Sequence, residues 1–167
     1  MSIVIKKATS DDAEYILEFL KQVGSETDNL SFGREGLPFS VESEAEYIRQ
    51  MEKSNDDIMI LALKDNKIVG NATLNRLPRR MSHRGEISVC VLKECWSKGI
   101  GSQLLCEIIN FAKNNKFGII DLQVRSDNLH AIHIYKKYGF EKYGTHPSFL
   151  KINNEEISFD YMYLKVD

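Results

Sequence analysis

Apolar positions recur along the chain with two periods, and the switches between them outline the elements. Val4 and Ile5 open a short strand. Ser10, Asp11 and Asp12 have the short polar side chains that favour a helix start. Behind them Ala13, Ile16, Leu17, Leu20 and Val23 make one helical apolar face, which Gly24 is placed to end. Residues 25–40 interleave Gly33, Gly36 and Pro38 with Leu30, Phe32 and Phe39, a long connection of the kind that often carries function. Ser43 and Glu46 have capping-box spacing and open a second helix through Tyr47, Ile48 and Met51.

Ile58 to Leu63 and Lys67 to Leu74 are apolar runs joined near Asp65-Asn66, which reads as a hairpin. Glu86 to Val91 is a further strand, followed by a turn and a helix with Leu104, Leu105, Ile108, Ile109 and Ala112 on one face. Phe117 to Val124 supplies another strand, and Asn128 to Tyr138 a helix that Gly139 closes. Phe140 to Ile152 and Glu155 to Leu164 complete the pattern, joined at Asn153-Asn154, with Ile157, Phe159, Tyr161 and Tyr163 alternating onto one face. The order predicts an α/β (α+β) fold with a mixed, mostly antiparallel sheet of six to seven strands flanked by about four helices. No repeat or Gly/Ser linker interrupts it, so residues 1–167 are expected to form a single domain.

Composition narrows the function. A formal net charge of -2 argues against binding nucleic acid by bulk charge, and Arg76, Arg79, Arg80, His83 and Arg84 read first as a solvated loop. No apolar run reaches membrane-span length and no signal-peptide core follows the N-terminus, so a cytoplasmic protein without a membrane partner is expected. Cys90, Cys95 and Cys106 are odd in number and scattered over strand, turn and helix, the pattern of reduced thiols, and no His spacing points to a metal.

The strand at Val89, Cys90 and Val91 feeds a turn, Trp96-Ser97-Lys98-Gly99-Ile100-Gly101-Ser102, that opens a helix. Free N–H groups at the positive end of a helix make a site for phosphate or pyrophosphate. A mononucleotide loop would need Lys after its last glycine, where Ser102 stands. A dinucleotide fingerprint would need a third glycine at Leu104 and regular βαβ repeats around it. Neither condition is met.

A second stretch, Asn128-Leu129-His130-Ala131-Ile132-His133-Ile134-Tyr135-Lys136-Lys137-Tyr138-Gly139-Phe140, favours coenzyme A. The two together resemble the GNAT superfamily of acetyl-CoA-dependent N-acetyltransferases. Its pattern [Gln/Arg]-x-x-Gly-x-[Gly/Ala] falls on Trp96 to Gly101, with Trp96 as the departure, and Asn-x-x-Ala-x-x-x-Tyr-x-x-x-Gly-Phe is met at Asn128, Ala131, Tyr135, Gly139 and Phe140. The strand Glu86 to Val91 looks like that of the phosphinothricin-acetyltransferase-like branch.

The resemblance implies acetyl-CoA as cofactor, a small amine or a peptide N-terminus as acceptor, and room for a homodimer. N–H groups from Ser97 to Ser102 would hold the pyrophosphate, and the backbone of Val89, Cys90 and Val91 would pair with the pantetheine arm. The Val91 N–H would polarise the thioester carbonyl. Asn128 and Ala131 would border the arm, with Lys98 and Lys137 near the phosphates. Tyr135, a phenol protonated at neutral pH, is the expected general acid. Glu86 is the expected base, its alternative being a strand-end ion pair. Cys90 has no activating neighbour in the sequence and is expected to pack rather than to act as nucleophile. The acceptor would meet Asp28, Phe32, Glu86 and Tyr161, with Glu26, Arg34, Glu35 and Asp160 nearby. A non-catalytic acyl-CoA-binding or sensing module is the alternative from a different class.

Overall fold

The computed structural model describes residues 2–166. In chain order the elements are β1 (Ile3–Lys7), α1 (Ala13–Glu26), α2 (Val41–Glu52), β2 (Asp57–Lys64), β3 (Lys67–Arg76) and β4 (Arg84–Val91), then α3 (Ile100–Asn114), β5 (Ile119–Arg125), α4 (Leu129–Lys137), β6 (Glu141–Ile152) and β7 (Glu155–Lys165). All seven strands join one sheet in the order β1-β2-β3-β4-β5-β7-β6. Only the β4–β5 pair is parallel, because α3 carries the chain across between them. The two hairpin turns have left-handed backbone at both central residues, Asp65-Asn66 and Asn153-Asn154, as two-residue turns matched to the twist of their strands require.

Two expected helix ends move. α1 runs through Gly24 to Glu26. Gly24 is there for a close approach: a Cβ would lie 2.1 Å from the carbonyl oxygen of Gly33, so the bare helix surface lets the 25–40 connection lie against it. α2 begins three residues early, with Ser40 as N-cap accepting from the Ser43 N–H at 3.1 Å.

Alternation in β3 separates the two faces of the sheet. On one, Gly70 is so close to α3 that a Cβ would lie 2.9 Å from Leu104 Cδ1. On the other, Asn75 donates to the Tyr47 hydroxyl of α2 at 2.9 Å. The core on the α3 face is built from Ile100, Leu104, Leu105, Ile108 and Ala112, all buried. Ile16, Leu20 and Val23 of α1 and Ile48 and Met51 of α2 bury the same way on their own apolar faces.

The basic connection is knit inward at two of its arginines. Arg76 pairs with Asp56, donates to the carbonyls of Ser82 and Asn115, and lies 3.7 Å over the Phe117 ring. Arg84 pairs with buried Asp121 at 2.8 Å. Among the described residues no helix is long and apolar enough to cross a membrane.

Candidate active site

Parallel pairing between β4 and β5 covers only Arg84–Glu86 with Ile119–Asp121, although both strands continue. Beyond that point the sheet parts. The register decides which groups line the gap. Leu92 N–H donates to Val69 and Leu77 N–H to Arg84, so even-numbered residues of β4 direct their main chain at β3. Val89 and Val91 therefore direct theirs into the gap. The Val91 carbonyl is taken by the Trp96 indole N–H at 2.7 Å, which leaves the Val91 N–H as the open donor. Trp96, the departure from the family pattern, thus braces the end of β4.

A cleft of about 1200 Å³ occupies the gap and extends under α1 and α2. At one end lies the turn before α3. Gly99 takes φ +79° at the N-cap and offers no side chain there, and the first backbone bond of α3 runs from Gln103 to Gly99. The N–H groups of Ile100, Gly101 and Ser102 accordingly have no acceptor within the helix. A Cβ on Gly99 would meet nothing within 4 Å, and one on Gly101 only Val91 Cγ2 at 4.0 Å. The two glycines thus leave a bare concave surface of N–H donors rather than relieve a clash. That surface fits a pyrophosphate.

Across the gap, α4 is started by Asn128, whose Oδ1 accepts from the Ala131 N–H at 3.3 Å. Tyr138 steadies the helix against α3 by donating to the Ser102 carbonyl at 3.2 Å. Asn128, Ala131 and Tyr135 all line the cleft. Burial, with a smaller contribution from Cys90, pushes the Tyr135 phenol up to about 12. Burial alone pushes the Cys90 thiol up to about 12. Cys90 is a protonated wall group here, since nothing lowers its pKa toward the reactive range.

The remaining expected site residues divide. Val89, Cys90, Val91, Trp96, Ser97, Gly99, Ile100, Gly101, Ser102 and Phe32 line the cleft. Lys98 turns its ammonium to the Glu94 carbonyl at 2.7 Å, closing the turn, and Lys137 is exposed on α4 outside the lining. Glu86 lies on a smaller neighbouring cavity that shares Thr73, Ile87, Ser88 and Gln123 with the cleft, and Gln123 donates to its carboxylate. Asp28 is exposed outside the lining, its carbonyl accepting from Arg125. Tyr161 also lies outside, stacked on Tyr143 at 5.9 Å. Glu26 caps the turn after β4, accepting from the Lys93 N–H at 2.7 Å. Asp160 ties β5's end to the β6–β7 hairpin. Burial would raise its pKa, but bonds from Ser126, Thr145 and Lys142 outweigh that and hold it below the usual carboxylate value.

Of the lining residues that the sequence expectations do not name, two are buried and polar. Glu44 on α2 is 3% exposed and Asn71 on β3 is 5% exposed, and both border the cleft. A usable signal for Glu44 existed: with Ile48 and Met51 it occupies an i, i+4, i+7 row, a lone carboxylate in an apolar stripe.

Solved acetyltransferases share this fold. An acetyltransferase of the GNAT family from Streptococcus pneumoniae superposes with a TM-score of 0.95, covering 99% of this chain and 100% of that one at 27% identity. The structure of yncA from Salmonella typhimurium with its cofactor acetyl-CoA shares the fold at a TM-score of 0.86, covering 100% of this chain and 95% of that one at 18% identity. The model of the acetyltransferase (GNAT) family matches residues 26–140, and the chain belongs to that family. In sequence it is 36% identical over 106 residues to the L-amino acid N-acetyltransferase AaaT of Escherichia coli K12. That match takes in 62% of this chain and 65% of the relative's length.

Proposed function

We propose that the protein is an acetyl-CoA-dependent N-acetyltransferase acting on a primary amine of a small molecule or a peptide N-terminus. The parting of β4 from β5 beside the bare glycine turn carries this reading: it leaves the Val89 main-chain groups and the Val91 N–H free along a cleft that the N–H cradle and Tyr135 both line. An extended amide-bearing arm fits that edge as an added strand would, and a pyrophosphate fits the cradle.

Acetyl-CoA supplies the acetyl group as a thioester. The Val91 N–H, left open in the gap, would donate to the thioester carbonyl oxygen and take up charge developing there. An acceptor that arrives as an ammonium gives its first proton to solvent through the open cleft, and Glu86 takes the second, released as the amide forms, by way of the cavity that shares Thr73, Ser88 and Gln123 with the cleft. Amine nitrogen bonds to the carbonyl carbon as the carbon–sulfur bond breaks, and Tyr135 gives its proton to the departing sulfur. A phenol near 12 is a poor acid for a thiol in water, whose pKa is about 8.5. Burial lifts the Cys90 thiol of the same cleft to about 12, and it acts in the same direction on a thiol that departs there.

The test follows thiol release from acetyl-CoA with an amine and peptide panel, in wild type and Tyr135→Phe. Turnover should fall about 100-fold or more in the variant, with coenzyme dissociation constant changed less than about threefold. Equal turnover removes Tyr135 from the acid role. Coenzyme binding with no thiol released from any acceptor would instead support the sensing module.

A further inference from the structure

The part of the cleft under α1 and α2 is walled by apolar side chains, among them Ile16, Leu20, Phe32 and Met59. One acidic side chain breaks that wall. Glu44 is 3% exposed, yet its carboxylate makes no hydrogen bond and no ion pair among the described residues. It is not sealed off either: among the described residues no buried side-chain oxygen lacks both a partner and access, so what access Glu44 has is to the cleft it lines. Asn71, equally buried and on the same lining, likewise spends its amide on no protein group. A buried unpaired carboxylate costs stability and is expected to find a counter-charge.

Resting on the acetyltransferase reading, we propose that Glu44 is the counter-ion for the acceptor and that the acceptor is a cationic amine with an apolar body and no free carboxylate. The second half follows from the rest of the lining. It contains no lysine and no arginine, and its one histidine, His130, stands on α4 rather than on the α1 and α2 wall, so an amino acid's carboxylate beside Glu44 would enter without a cationic partner. The L-amino acid specificity in the name of the Escherichia coli relative is therefore not carried over to this cleft. Burial raises the Glu44 pKa, as expected for a carboxylate that lacks its cation.

The experiment compares 2-phenylethylamine, phenylalanine amide and phenylalanine, with thiol release and thermal shift measured in parallel. The amine and the amide should be turned over with kcat/KM at least about 100-fold above the free amino acid, the order expected for an unpaired buried charge. In Glu44→Gln, KM for the amine should rise at least about tenfold while kcat and coenzyme affinity move little. Free phenylalanine used as well as its amide, or an unchanged KM in the variant, overturns the proposal and leaves the transferase reading standing. If no acceptor releases thiol, the transferase reading fails, and the thermal shift decides separately. A shift with 2-phenylethylamine that Glu44→Gln abolishes supports the counter-ion, and no shift in wild type overturns it.

Discussion

Three side chains owe their character to burial without a partner, and each consequence can be measured. Tyr135 and Cys90 are lifted to the same region, about 12, by one environment. Glu44 is raised by burial alone. An acid whose folded pKa exceeds its unfolded value binds more protons when folded, over the interval between the two. Stability therefore falls as pH climbs through that interval. For Glu44 the interval begins at the ordinary glutamate value of 4.5 and ends at the raised one. Glutamine carries no such proton. Glu44→Gln should unfold at a higher temperature than wild type at neutral pH, and the two curves should converge below about pH 4, where the wild-type carboxyl is also neutral. Thermal unfolding at a series of pH values reads this directly, and identical curves throughout would show that Glu44 already has a partner.

At the scale of elements, what was legible in the sequence was local. Asp65-Asn66 and Asn153-Asn154 announce their hairpins because each turn needs left-handed residues at fixed places. The helices declare themselves by a single buried face, as α3 does from Leu104 to Ala112. What failed to show depends on contacts far along the chain. Nothing near Gly24 says that Gly33 will press on it, nothing near Glu26 that it will cap Lys93, and nothing near Trp96 that its indole will hold Val91. The two working glycines separate cleanly on this basis. Gly99→Ala puts a Cβ into open space but forces alanine to φ +79°, which costs about 1–2 kcal/mol. Because the strain falls at the N–H cradle, coenzyme affinity should fall at least about tenfold. Gly24→Ala keeps an ordinary helical backbone but drives a methyl against the Gly33 carbonyl, an overpacking worth about 1–3 kcal/mol. That displaces the connection carrying Phe32 and should raise acceptor KM while coenzyme affinity holds. Calorimetry with coenzyme and steady-state kinetics distinguish the two patterns, and a common pattern for both variants would mean that cradle and connection are not independent.

Across the whole molecule, the sheet is two antiparallel blocks, β1 to β4 and β5-β7-β6, joined by three parallel residue pairs and by α3. A ligand lying between β4 and β5 completes the sheet, so its binding should register in backbone groups far more sharply than in overall shape. Ser88, Cys90 and Leu92 direct their N–H groups to β3, whereas those of Val89 and Val91 face the gap. Amide exchange without coenzyme should therefore alternate along β4, slow at 88, 90 and 92 and fast at 89 and 91. Acetyl-CoA should slow Val89 and Val91 selectively. At about 100 times its dissociation constant it should also stabilise the fold by about 2.7 kcal/mol, which for a chain of this size raises the unfolding midpoint by roughly 5–10 °C. A thermal gain without the change at 89 and 91 would place the ligand outside the gap. Protection at both positions would tie the glycine turn, the free strand edge and Tyr135 into one continuous site, since no ligand confined to the cradle at Gly99 and Gly101 reaches the length of strand on which Val89 stands.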